Sequence, residues 1–190
     1  MSIREAWKSR WCAALVVGIV STQAAMADPV LSIVASPNPV TVGSPLGVNI
    51  NISGAVDVYS YQFTLTFSGS SLSGSTATEG TFLLAGGTTF FGGGTLSPNT
   101  LSSVFDTIIG PGSGVNGSGT LARINFGTLS AGTSTLTLSN VIVLNSSLAT
   151  LPTTMTGATV SVVPEPATYA MFGAGLAGLL LAARRRQAAA

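Results

Sequence analysis

The chain has 190 residues, enough for about one domain with targeting segments at its ends. Only 7 % of the residues are charged and 46 % are hydrophobic, with 23 glycines; this excludes a disordered polyelectrolyte and a helical cytosolic enzyme, and fits a β-rich extracytoplasmic protein. The formal net charge of +1 conceals a division, with Arg4, Lys8 and Arg10 at one end, Arg184, Arg185 and Arg186 at the other and only Arg123 between, so nucleic-acid binding lacks the cations that displace counterions from phosphate.

Residues 1–27 carry the three basic residues, then an apolar run from Trp11 to Val20, then small and polar residues ending in Ala25-Met26-Ala27. That order predicts a secretory signal helix cut by signal peptidase between Ala27 and Asp28. The run is too short to span a bilayer comfortably. Cys12 precedes the apolar run, is badly placed for lipid attachment, and leaves with the leader. The mature chain then has no disulfide, thiolate nucleophile or Cys-ligated zinc.

From Asp28 to Val163 the hydrophobic period is two, which describes one β domain. Leu46 to Ile52 alternates, and Tyr59 to Phe67 alternates without a break, so each predicts a strand with one buried face. Tyr59, Tyr61, Phe63 and Phe67 share a row expected in the core, while Ser60, Gln62, Thr64 and Thr66 are expected in solvent. Further strands are predicted near Leu31–Ala35, Thr81–Leu84, Thr88–Phe91, Leu101–Ile109, Ala122–Phe126, Thr135–Leu138, Val141–Leu144 and Ala158–Val162. Pro37-Asn38-Pro39, Gly43-Ser44-Pro45, Gly92-Gly93-Gly94, Gly110 to Gly119 and Ala131-Gly132 read as turns. One-sided antiparallel strands must cover their apolar faces, so about eight or nine of them predict a two-sheet β-sandwich.

The segments Val42 to Ile50, Val58 to Phe67, Glu79-Gly80-Thr81-Phe82-Leu83 and Gly119 to Phe126 follow one another as in cohesin domains, and residues 28–163 resemble that family. The resemblance implies an all-β jelly-roll sandwich and recognition without catalysis, through a sheet face that in scaffold proteins grips a dockerin. Relatives outside cellulosomes serve in surface adhesion or beside polysaccharide modules. Phe90-Phe91 beside the glycine run is the candidate ligand contact, because two adjacent strand residues point to opposite faces and one of them is free to be exposed.

Residues 164–190 open with Pro164-Glu165-Pro166 and continue as an apolar stretch from Ala167 to Ala183, with Gly173, Gly175 and Gly178 inside it, followed by Arg184-Arg185-Arg186. The paired prolines hold the start extended. The apolar stretch predicts a transmembrane helix, and the arginines predict a cytoplasmic end in an inner-membrane intermediate. This three-part segment resembles the PEP-CTERM sorting signal. The resemblance implies export in Gram-negative bacteria that make exopolysaccharide, and cutting near the tripeptide by an exosortase.

Chemistry narrows the function. With no histidine in the chain, a His base, a Ser-His-Asp triad and an imidazole metal site are excluded. The acids Asp28, Asp57, Glu79 and Asp106 are isolated in sequence, with Asp57 and Glu79 expected in solvated turns, so neither a catalytic carboxylate pair nor a metal site is read from them. No cofactor is implied. The leading expectation is a cell-surface or matrix adhesion module for a dockerin-like protein or a polysaccharide. The alternatives are a passive component of the exopolysaccharide biofilm matrix and, third, a carbohydrate-active enzyme.

Overall fold

The computed structural model describes residues 28–165 and 168–188. The signal helix with Ala25 and Ala27 lies outside the described residues, as do Pro166 and Ala167 of the sorting segment.

The described chain forms ten strands: β1 Val30–Ser36, β2 Val40–Thr41, β3 Pro45–Phe67, β4 Leu72–Glu79, β5 Thr89–Ser97, β6 Thr100–Ile108, β7 Val115–Thr128, β8 Gly132–Asn145, β9 Thr154–Thr156 and β10 Ala158–Val163. A 3-10 turn spans Leu83–Gly86, and helix α1 runs Thr168–Ala188. The long β3 organises the rest. Its first half pairs with β1 and β7, which carry β9 and β4 on their outer sides. Its second half pairs with β6 and β8, which carry β5 and then β10 and β2. Between the halves Gly54 and Asp57 take positive φ, +67° and +55°, and bend the strand from one layer into the other.

The interior follows the alternation. Leu46, Val48, Ile50 and Ile52 from the first half of β3 face Tyr61, Phe63, Leu65 and Phe67 from the second, all buried. Phe67 meets Phe126 edge to face at 5.1 Å, and Tyr61 stacks near Phe63 at 6.0 Å. Every member of the buried core cluster lies between Leu31 and Val162.

Several sequence expectations change. The strands expected at Leu46–Ile52 and Tyr59–Phe67 are one strand, as are those at Thr135–Leu138 and Val141–Leu144. Thr81–Leu84 is not a strand: Phe82 opens the 3-10 turn. Gly92-Gly93-Gly94 lies inside β5 rather than in a turn, because the space above it is filled by neighbours. Thr64 is buried although its row faces outward.

Helix α1 also departs from expectation. Arginine is a good helix former, so the helix does not stop at Ala183 but runs through Arg184, Arg185 and Arg186. The apolar part ends at Ala183, and among the described residues no helix is long and apolar enough to cross a membrane. Gly173, Gly175, Gly178 and Arg184 are exposed on it.

Candidate functional site

The outer face of the β5–β6–β3–β8 layer is set by cross-strand register. Phe90, Thr107, Ser60 and Leu144 stand opposite one another in one row, and Gly92, Phe105, Gln62 and Ile142 in the next. Residues paired across strands point to the same side, so these two rows form one surface. Phe90 is 59 % exposed and Ile142 44 % exposed. Leu148, on the loop after β8 at φ +60°, is 66 % exposed at the rim.

Gly92 explains the aromatic part of this surface. A Cβ there would lie 2.2 Å from the Phe105 ring, so the ring rests across the bare backbone of β5. Phe90 flanks it with ring centres 5.8 Å apart. A concavity of about 340 Å³ opens beside Phe105, between Gln62, Ile142, Leu144 and Leu148. Polar groups along it are partly committed: the Ser60 hydroxyl donates to the Asp106 carbonyl at 2.9 Å. An exposed apolar patch with a few hydroxyls and one amide is the composition of a protein-docking surface.

The opposite outer face differs. There Ser32, Asn51 and Thr120 form one row, and Val34, Asn49, Arg123 and Thr78 the next. Thr120 donates to Asn51 Oδ1 at 2.9 Å, and Arg123 Nε donates to Asn49 Oδ1 at 3.0 Å. Grooves of about 440 and 180 Å³ share Thr120 and are lined mainly by Ser, Thr, Asn and glycine.

Phe90 and Phe91 do point to opposite sides: Phe91 is partly buried and packs on the core. Pro164 and Glu165 are exposed beyond β10, without regular structure. Asp28 precedes β1 and is exposed. Phe105, Ile142, Leu144 and Leu148 were not singled out from the sequence. Their signal was present, since Leu101, Val104, Asp106 and Ile108 face inward and leave Phe105 on the other side.

Two acids depart from their expected roles. Asp57 sits at the bend of β3 and joins three segments: its Oδ1 accepts from Gly114 N–H at 2.7 Å, its Oδ2 from the Ser146 hydroxyl at 2.7 Å, and its own N–H donates to Asn116 Oδ1 at 2.7 Å. The Ser146 hydroxyl and then the Gly114 N–H hold its carboxyl below the usual value of 3.8. Glu79 is no solvated turn residue; it ends β4, accepts a hydrogen bond from the Thr89 hydroxyl and faces Asp106. Isolated in sequence, Glu79 and Asp106 meet in space. Asp106 is 1 % exposed and so out of reach of a bound sugar, unlike a glycosidase acid that must touch the scissile oxygen.

Residues 31–163 match the family model described as Cohesin domain, and residues 162–186 match the PEP-CTERM protein-sorting motif. Among solved structures the chain is similar to a non-cellulosomal cohesin from the hyperthermophilic archaeon Archaeoglobus fulgidus (TM-score 0.58, 16 % identity, 72 % of this chain and 92 % of that one). It is similar also to the second type II cohesin module of the ScaA scaffoldin of Acetivibrio cellulolyticus (TM-score 0.61, 14 % identity, 74 % and 93 % covered). A third is the sixth cohesin of scaffoldin B from the same organism, solved in complex with a Cel5 dockerin mutant (TM-score 0.56, 17 % identity, 72 % and 100 % covered). At these identities the likeness shows the fold alone. No curated protein matches the sequence.

Proposed function

Because the chain belongs to the cohesin family and carries a PEP-CTERM sorting motif, we propose that it is an exported module that binds a protein partner through the outer face of β5–β6–β3–β8. The observation that carries this reading is the outward apolar surface in which Phe90 flanks Phe105, and Phe105, Ile142, Leu144 and Leu148 line one concavity. A strand face that met only water would be dominated by polar residues, as the opposite face is. A dockerin-like domain fits by its chemistry, since an apolar helix face would cover Phe90 and Ile142 while Gln62 and Thr107 supply hydrogen bonds.

The sorting motif implies export towards the cell surface of Gram-negative bacteria. An exosortase would cut near the tripeptide that begins at the exposed Pro164 and Glu165, after signal peptidase has removed the leader before Asp28. A second reading is adhesion to matrix polysaccharide. It is favoured by the Ser, Thr and Asn grooves of the opposite face, whose hydroxyls and amides match those of sugars. In neither reading does the sandwich act as an enzyme.

The test immobilises the protein and the variants Phe90→Ala, Ile142→Asp and Arg123→Ala, and offers each the producer's extracellular fraction before and after proteolysis. Retention lost on proteolysis and in Phe90→Ala and Ile142→Asp alone is the expected outcome. Retention that survives proteolysis and falls only in Arg123→Ala moves the site to the polar face.

A further inference from the structure

Recognition by the outer face makes no use of the one carboxyl buried in the core. Asp106 lies in β6 directly between Phe91 of β5 and Tyr61 of β3 in the sheet register, so its side chain shares their inward side. It is 1 % exposed, and its Oδ1 has no hydrogen-bond partner. An unpartnered carboxylate oxygen in a sandwich core is costly.

Across the interior stands Glu79, at the end of β4 and therefore in the other layer. One of its oxygens accepts from Thr89 of β5, and its side chain is within hydrogen-bonding reach of Asp106. The remaining titratable group facing the pair is Tyr61 of β3, whose hydroxyl is committed to the Leu121 carbonyl at 2.6 Å. β5 adds only Thr89 and Phe91. The sandwich's single cation, Arg123, is turned to Asn49 on the outer face. Arg123 shares a surface groove with Glu79, but the buried Asp106 carboxyl meets only the Glu79 charge, so two negative charges here would face each other across the interior. A single proton removes the conflict, since a protonated Asp106 donates to a Glu79 carboxylate and its orphan oxygen is satisfied.

The position of the pair gives that proton a structural role. β4 and β5 close one side of the sandwich without a ladder between them; they meet by close packing, with a Cβ at Gly93 only 2.6 Å from the Ala77 carbonyl oxygen. The Asp106–Glu79 contact and the Thr89–Glu79 bond are the polar ties across this seam.

We propose that Asp106 is protonated and donates to Glu79, and that this proton is the clasp that holds β4 against the paired β5 and β6, so that the seam is tight in acid and loosens as Asp106 loses the proton. Burial, and after it the Glu79 charge, pushes the Asp106 carboxyl up to about 7 from its usual 3.8. The folded state then holds the proton more tightly than the unfolded chain does. Its stabilisation is complete below about 3.8 and is lost as pH rises through about 7.

The chain has no histidine, and its one cysteine and its α-amino group are common to wild type and variants, so their titration cancels in the comparison. The test is denaturant unfolding of the purified protein between pH 5 and 9, with amide exchange read strand by strand. In the wild type the unfolding constant is expected to rise, by at most about tenfold per pH unit, up to pH 7 and then to level off. Exchange in β4 and β5, corrected for base catalysis, should quicken over the same range while β1 stays unchanged. Asp106→Asn donates to Glu79 without titrating; it should lose the slope and exceed the wild type in stability at pH 8. If that variant fails to fold, Glu79→Gln serves, and its transition should move to lower pH. Equal slopes in wild type and variants, or exchange that rises uniformly over all strands, would overturn the proposal. So would calcium chloride at pH 8 restoring the seam in the wild type and not in Glu79→Gln, since the pair would then hold a cation.

Discussion

On the β5–β6–β3–β8 layer the outward positions hold Phe90, Phe105, Ile142 and Leu144; on the β1–β3–β7–β4 layer they hold Ser32, Asn49, Asn51, Thr120 and Arg123. β3 runs through both layers, and its inward residues are uniformly apolar in each half. The difference is therefore confined to the side that packing leaves free. Inward positions of β3 answer to the core, which takes apolar bulk packed to native density. Outward positions answer to whatever covers them, so an aromatic and aliphatic surface on one face and an Asn and Thr surface on the other imply different neighbours.

Changes at two glycines sharpen this contrast most strongly. Gly80, beside the polar face, would place a Cβ 2.1 Å from the Thr120 carbonyl oxygen, and that backbone has nowhere to go. Gly80→Ala is expected to cost about 3 kcal/mol in denaturant unfolding. Gly92→Ala meets only the Phe105 ring, which can turn, so its cost is expected to be nearer about 1.5 kcal/mol. Equal losses would mean that the Phe105 ring is held as firmly as backbone, and the apolar face would be a rigid part of the fold rather than an adaptable surface.

Binding separates the faces next. Phe90→Ala and Ile142→Asp should each weaken the protein partner at least tenfold, about 1.4 kcal/mol by calorimetry, with the melting temperature nearly unchanged because both side chains are exposed. A smaller effect is expected at the bend of β3 that joins the two layers. Asp57→Asn should cost about 1 kcal/mol at pH 7, after allowing for solvent screening of a half-buried group. The Asp57 carboxyl is held below its usual value, so its contribution is present above pH 3.8 and lost as pH falls through the lower folded value. The difference in thermal melts between wild type and variant should thus be full at pH 7 and shrink as pH is taken below 3.8, the reverse of the sign expected for Asp106. Arg123→Ala should be the quietest, within about 0.5 kcal/mol in stability and without effect on a protein partner.

Much of this was legible in the chain. The unbroken alternation of Tyr59 to Phe67 assigned Tyr61, Phe63, Leu65 and Phe67 to the interior, because a strand's period of two admits no other arrangement once one face is buried. The adjacency of Phe90 and Phe91 required them to part, and Phe90 is the one left outside. The glycine run after them misled, since glycine marks close approach of neighbours as well as turns; here Phe105 and Ala77 occupy the room that side chains would take.

By itself the sequence determined the β class, the inward face of each clear strand and the sorting segment, because these depend on local period and on residues adjacent in the chain. Only the tertiary structure decided that β3 serves both layers, that Phe105, Ile142 and Leu148 join Phe90 on one surface, and that Glu79 and Asp106 meet inside. Those facts depend on which strands pair and in what register. Pairing between residues tens of positions apart leaves no periodic trace in the chain, since it is set by how the whole set of apolar faces closes on itself.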